Sequence, residues 1–511
     1  MRNGPERTLL VNPNVNEPEA AQGKSVGSAN DHRSLGALAT RGALWSTLGF
    51  GAGQVLRLAA NLVLTRLLFA EAFGLMALVQ TLLAGFQLFS DLGIGTSIIQ
   101  NERGDDRDFL DTAFTLQAAR GLLLWAVACA GAVPFAHFYR QPVLVWVLPV
   151  AGVTALLQGV QSTKLYTANR HLAMKRLIAV ELAGQVAGMT TMMTWAAVDR
   201  SVWALAAGSV VGTACQTILS HVALPGRRNR FHWGRDSARN LLKFGRWIFV
   251  STALMFLAGQ SDRLIFGKLT SIQVLGVYSI ATTLALLPSA ALSNLAGRII
   301  LPVYSRVYTS GGDLDATYRP VRWPLLVLGG WAMAGLVGGG PTIVRLLYDR
   351  RYLDAGWMLQ VVATGVWFGV LLEGTNGAAL LAKGLARWTA AGSAGKLIGM
   401  LVLIPVGFVA GGFPGALVGL AVAEMFRYAI SAFAVRRQGL RGLRQDASIT
   451  AMVGITSSIG WLSARWIRGA GAPVALEATV VFLLVTAGWA PLAAPLLRRG
   501  REQWLPIVAK E

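Results

Sequence analysis

Apolar stretches recur along the chain at lengths that match a lipid bilayer. A helix crossing a ~30 Å hydrocarbon core takes roughly 20 residues. Stretches of that kind run over 41–66, 73–100, 109–136, 143–163, 177–198, 202–224, 247–267, 274–303, 323–344, 357–382, 388–410, 413–435, 447–464 and 474–497. The pattern predicts an all-α integral membrane protein with about 14 transmembrane helices.

The polar interruptions divide these helices. Six precede a long basic connection at 225–246, six more run to a second one at 436–446, and two follow. The expected organisation is therefore a tail at 1–34, a first lobe at 35–224, the loop 225–246, a second lobe at 247–435, the loop 436–446, a helix pair at 447–497 and a tail at 498–511. Residues 1–34 are polar and lack the apolar core and small-residue cleavage site of a signal peptide, so they read as a disordered cytoplasmic tail.

A shift of 202 residues lays LLFAEAFGLMA (67–77) over LTSIQVLGVYS (269–279), pairing Arg66 with Lys268 and Gly74 with Gly276. A repeat of an even number of helices gives two lobes of like orientation, related by a pseudo-two-fold axis along the membrane normal. Transporters built from such repeats hold substrate between the halves. GxxxG spacings such as Gly184/Gly188 and Gly208/Gly212 add sites of close helix packing without identifying a function.

Composition agrees with the pattern, since 54% of the 511 residues are hydrophobic and 14% are charged. The net charge of +21 is read as topology, because cytoplasmic loops collect Lys and Arg. With the N-terminus inside, the outer connections hold few cations: Arg66, Arg140, Arg200, Lys268, Arg345, Arg350, Arg351, Arg465 and Arg468. Both termini are then cytoplasmic, and the basic loops imply no nucleic-acid partner, since no nucleic-acid-binding fold accompanies them. Cys129 and Cys215 fall within spans and offer neither a disulfide framework nor a metal site.

Six cations lie inside the spans: Arg57, Arg120, Arg263, Arg298, Lys396 and Arg427. An Arg or Lys at mid-membrane costs about 2.5–3.5 kcal/mol on insertion scales and generally faces a cavity or a partner. Arg263 and Arg298 sit near helix ends, where they can snorkel. Arg427 follows Glu424 by three residues, a spacing that suits an ion pair. Arg57, Arg120 and Lys396 have no opposite charge within four residues, which makes them the leading anion ligands. Arg forks match phosphate oxygens and Lys supplies a mobile point charge. Acids at depth are Asp91, Glu181, Asp262, Glu373 and Glu424, each open to a role as counter-ion or as a proton or sodium site. No cofactor is implied.

Enzymatic signatures are missing. AAGSAGKL at 390–397 departs from a phosphate loop at its first Gly and after Lys396, and the five His residues form no metal-binding group.

Four segments, FSDLGIGTSIIQ (89–100), GQSDRLIFGKL (259–269), LGVYSIATTLALLP (275–288) and ILPVYSR (300–306), resemble the polysaccharide flippases of the multidrug/oligosaccharidyl-lipid/polysaccharide exporter superfamily. The resemblance covers about 36–435. It implies two six-helix lobes around a cationic cavity and a lipid-linked oligosaccharide as substrate. That substrate would be an undecaprenyl-diphosphate-linked repeat unit, moved across the bacterial inner membrane for exopolysaccharide, capsule or O-antigen synthesis. It also implies a polysaccharide polymerase and a chain-length regulator as partners. By motif it singles out Asp91, Gly93, Asp262, Arg263 and Arg298, whereas Arg57, Arg120 and Lys396 rest on charge and depth. Three other readings stay open: a multidrug or cation antiporter of the same superfamily, a peptidoglycan-precursor flippase and a membrane-embedded polymerase.

Overall fold

A computed structural model describes residues 27–89 and 93–503, with side chains from 45 to 492 except 89, 239–255, 295 and 298. Asp91 lies outside the described residues. Among them every regular element is helical.

The first half holds α1 (Gly27–Leu67), α2 (Ala70–Phe89), α3 (Arg107–Tyr139), α4 (Leu144–Gly159), α5 (Met174–Val198) and α6 (Val202–Val222). The second holds α7 (Arg235–Leu269), α8 (Ile272–Thr309), α9 (Leu314–Leu347), α10 (Ala355–Ala382), and α11 and α12, which together form Ala386–Arg437. α13 (Leu443–Gly469) and α14 (Val474–Gln503) follow and pack on α9 and on each other.

Among the described residues eleven helices are long and apolar enough to cross a membrane, or twelve if α4 and the short helix Lys164–Arg170, bent by 57°, make one span. The stretch Ala386–Arg437 is two crossings, because it folds back at Gly411 and Gly412. With φ 62° and ψ −150°, Gly412 occupies backbone space used almost solely by glycine. Beyond the turn Gly407 meets Gly415 and Gly419 meets Leu403, backbone on backbone. Adding the 35-residue α7 makes the architecture consistent with fourteen crossings.

Several boundaries differ from expectation. The second span stops at Phe89 and a separate helix, Ile94–Gln100, follows. Residues 27–34 of the expected tail are helical, as is the connection 225–246 from Arg235 onward. The start of that connection is tied to the first half: Asp111 Oδ1 accepts from Arg230 N at 3.0 Å, Thr112 Oγ1 accepts from Gly234 N at 3.0 Å, and His232 Nε2 lies 2.6 Å from Asp108 Oδ1. Accordingly α7 packs on α2 and α3 of the first half as well as on the α11–α12 hairpin.

The halves meet most closely where α2 and α8 begin. Two-residue turns, 68–69 and 270–271, precede them, and the side-chain oxygen of Ser271 caps α8 by accepting from Val274 N. A Cβ on Gly74 would strike the carbonyl oxygen of Ile272, and one on Gly276 would strike that of Ala70. Since Ala70 maps to Ile272 and Gly74 to Gly276 under the 202-residue shift, the contact is reciprocal and the repeat axis passes through it.

Struts from both halves reinforce this end. Lys268 Nζ donates to Phe138 O at 2.5 Å, while Arg351 Nη2 donates to Thr65 O and Arg66 O at 3.1 Å. Tyr352 Oη donates to Leu68 O and Tyr348 Oη to Asn61 Oδ1, each at 3.0 Å. The end expected to be outer is therefore shut.

Candidate functional site

In the second half four charged side chains converge about 15 Å into the bundle, counting helical rise from Ala386 and from Arg437. Lys396 of α11 pairs with Glu424 Oε1 of α12, and Arg427 Nη2 of α12 lies 3.0 Å from Glu373 Oε2 of α10. Lys396, Glu424 and Glu373 are at most 9% exposed. Arg427 thus pairs with Glu373 rather than with Glu424, which stands one turn away on its own helix.

Local backbone geometry makes room for this grouping. The turn Trp367–Leu372 is π-helical, a widening that often marks functional sites. It sets Gly369 against the Glu424 carboxylate, where any side chain would collide with Oε2. Glu373 and Arg427 border a 290 Å³ cavity walled by α8 at Ser293, Ala296 and Gly297. Arg298 directly follows that wall, and its side chain is outside the described residues.

The electrostatics are balanced but not saturated. Two cations face two carboxylates, which offsets the several kcal/mol that each buried ion costs to desolvate. Glu424 Oε2 and Arg427 Nε are buried without a hydrogen-bond partner. An anion entering the cavity would meet the Arg427 guanidinium, whose partner carboxylate Glu373 must first move or take up a proton.

The remaining sequence candidates lie elsewhere. On α1, Arg57 is exposed and its Nε donates to Gly53 O at 3.4 Å, an oxygen that also accepts from Gln185 Nε2 of α5. Glu181, one turn before Gln185, is exposed and makes no ion pair among the described residues. Arg120 of α3 is half-buried and donates to Gln87 O of α2 at 2.5 Å. Gln87 in turn donates to Gln158 of α4.

Asp262 and Arg263 are neighbours in α7 with separate surroundings. Asp262 is buried, accepts from Tyr278 Oη of α8 and keeps Oδ1 unpartnered, while Arg263 donates to Gln260 Oε1 at 3.1 Å. The structure therefore brings together Lys396, Glu424, Glu373 and Arg427. It leaves Arg57, Glu181 and Arg120 in the first half, and Asp262 and Arg263 on the helix that touches both halves.

Sequence reading missed two ion networks. Arg322, expected just outside a span, is fully buried in α9. Its Nη2 donates to Asp446 Oδ1 at 2.5 Å and its Nη1 to Tyr318 Oη at 2.6 Å, and Tyr428 Oη holds the other oxygen of Asp446 at 2.9 Å. At the opposite end Glu477 of α14 is fully buried and accepts from Thr342 at 2.6 Å, Arg345 at 2.9 Å and Arg468 at 2.6 Å. The first network fastens α13 to α9, and the second fastens α14 to both α9 and α13. The first escaped a reading by apolar length because α9 starts at Leu314, nine residues before the apolar stretch 323–344, and Arg322 falls in that extra length.

Two six-helix halves with a close contact on their repeat axis, plus a helix pair on the second half, define a two-lobed helical membrane-protein fold. The structure aligns with a lipid II flippase, MurJ, in its inward closed conformation (TM-score 0.68, 11% identity, 89% of this chain and 100% of that one). It also aligns with an inward-facing multidrug resistance MATE family transporter of the MOP superfamily (TM-score 0.62, 12% identity, 78% and 96%). At such identities the likeness fixes the fold alone.

Sequence carries the assignment further. Residues 63–356, more than half of the chain, match the polysaccharide biosynthesis protein family, and the chain belongs to it. Similar proteins include the teichuronic acid biosynthesis protein TuaB of Bacillus subtilis (strain 168), 20% identical over 59% of this chain, and the lipopolysaccharide biosynthesis protein WzxC of Escherichia coli (strain K12), 22% identical over 67%. The matches span 62% of the first relative and 69% of the second.

Proposed function

We propose that the chain is a flippase for a lipid-linked oligosaccharide, carried on undecaprenyl diphosphate, in surface polysaccharide synthesis at the bacterial inner membrane. The observation that carries this reading is the buried Lys396–Glu424 and Arg427–Glu373 group beside a cavity in a flippase-type fold. Arg and Lys suit a diphosphate, and the lobe arrangement suits a load whose prenyl chain remains in lipid.

With the basic loops cytoplasmic, the shut end faces the periplasm and the cavity loads from inside. The diphosphate takes the place of the carboxylates on Lys396 and Arg427, and Arg120 and Arg57 supply charge from the first half. Protonation of Glu424 and Glu373, or binding of sodium, would free the cations and couple transport to an ion gradient. A polymerase and a chain-length regulator are the expected partners.

A second reading, a cation antiporter, is favoured by one observation: the carboxylates match the cations in number, and Asp262 keeps an oxygen unused. Reconstituted vesicles separate the two. Translocation of a fluorescent undecaprenyl-diphosphate sugar, lost in Lys396→Gln and Arg120→Ala at normal membrane insertion, supports the flippase. Uptake of a cationic dye that survives both substitutions, with no lipid movement, supports the antiporter.

A further inference from the structure

Outer connections in this chain hold few cations, yet three arginines gather at one corner of the shut end. Arg345 closes α9, and Arg465 and Arg468 lie in the last turns of α13. Arg345 and Arg468 share the single Glu477 carboxylate, each of whose oxygens is already engaged. Arg465 has no carboxylate partner among the described residues, and its guanidinium lies 5.5 Å from the centre of the Trp461 ring. Three arginines thus stand over one fully covered acid.

The same corner holds a 260 Å³ cavity between α9 and α13, lined by Gly338, Pro341, Trp461, Ala464, Arg465 and Arg468. Small residues open it on the α9 side, where Gly338 brings the backbone against Ser457 of α13. Trp461 and Trp466, 41% and 78% exposed, point outward on the last turns of α13. Trp at that position marks the headgroup layer of a bilayer. Basic pockets between membrane helices on the cytoplasmic side bind anionic headgroups, and the Arg forks that do so match phosphate oxygens in either leaflet.

We infer that this corner is a binding site for a net-anionic phosphate headgroup of a lipid in the outer leaflet. Its volume falls below the ~300 Å³ low end of small-molecule sites, so it takes a headgroup and not an oligosaccharide. Two sources share the chemistry: a resident anionic phospholipid, and the prenyl diphosphate delivered by transport. The placement in the outer leaflet rests on the orientation argued above, whereas the binding does not.

The test uses the full-length protein and native mass spectrometry, with dioleoyl phosphatidylglycerol, dioleoyl phosphatidylcholine and undecaprenyl diphosphate as probes. Phosphatidylglycerol retention should exceed that of phosphatidylcholine and fall about tenfold in Arg465→Gln, the value of one charge-assisted hydrogen bond. Arg465→Lys should recover part of it. Arg465 is outside the Glu477 network, so the variant keeps the fold.

Displacement of phosphatidylglycerol by undecaprenyl diphosphate in the wild type assigns the site to the delivered lipid, and retention of phosphatidylglycerol alone assigns it to a resident phospholipid. Equal retention of phosphatidylcholine, or an unchanged Arg465→Gln, overturns the site. A flippase assay that fails leaves these readouts untouched. Arg465→Cys, with Cys129 and Cys215 replaced by Ala, should react with an impermeant maleimide from outside the cell. Labelling from the cytoplasm alone overturns the outer-leaflet placement.

Discussion

Replacing Gly74 by Ala should open the shut end. The new Cβ would sit 2.8 Å from Gly276 N and closer still to the Ile272 carbonyl oxygen. Backbone atoms of a helix have no rotamer with which to yield, and carbon contacts settle at ~3.5–4.0 Å, so the approach to Ile272 O must lengthen by roughly 1.6 Å as α2 and α8 part. Overpacking of this kind costs about 1–3 kcal/mol, and only the shut conformation bears that cost. The population shifts toward the open state by about 5- to 150-fold.

Local helix propensity has the opposite sign, since Ala is favoured over Gly by about 1 kcal/mol in a helix interior. Any opening therefore comes from the contact and not from a weakened helix. The reporter is Leu68→Cys, a position fully buried in the shut state, labelled by a membrane-impermeant maleimide in cells. Gly276→Ala should give the same acceleration, and the double variant should fall short of the product, because one separation relieves both clashes. Labelling within twofold of the parent at normal insertion would refute the reciprocal contact as the seal.

Three further outcomes follow from the ion pairs. Lys396→Gln and Glu424→Gln should each lower the melting temperature by stranding a buried charge, at about 3–5 kcal/mol, whereas the double variant should recover stability in a thermal-shift assay without recovering translocation. Arg322→Ala should cost about the same and should raise hydrogen exchange in α13 selectively, because Asp446 loses its cation; uniform exchange across the protein would sink that assignment. On the loop after α9, the hydrogen bonds from Arg351 hold the Asp349 carboxyl below its ordinary range. The strut it braces is then fully present above the usual Asp value of about 3.9 and lost as pH falls through the lower folded value. Maleimide labelling of the Leu68→Cys reporter should therefore be flat from about pH 5 to 8, and Arg351→Ala should raise it across that range.

What the sequence made legible was set by length and periodicity. An apolar run of helical length can hide nowhere else, so the crossings were readable, including the two arms 388–410 and 413–435 of the hairpin that turns at Gly411 and Gly412. The 202-residue offset was readable too, as a faint match between 67–77 and 269–279, and it acquires physical meaning in the Gly74–Gly276 contact. What stayed hidden were partners between helices. Lys396 shows no acid within four residues of its own helix, yet Glu424 reaches it across the hairpin closed at Gly412.

That pairing changes how the cations at depth should be read. A count of buried cations against acids points to a modest positive excess, but charge acts through neighbours, and in the second half Lys396 and Arg427 each have their own carboxylate. Attraction for a diphosphate there is latent until the carboxylates are displaced or protonated. In the first half Arg57 has no ion pair among the described residues and stands exposed. An anion would therefore be drawn first to the first half and held only when the second half gives up its internal pairs. Binding across both halves then requires a rearrangement of the second, which is the step that would let occupancy of the site bias the contact at Gly74 and Gly276.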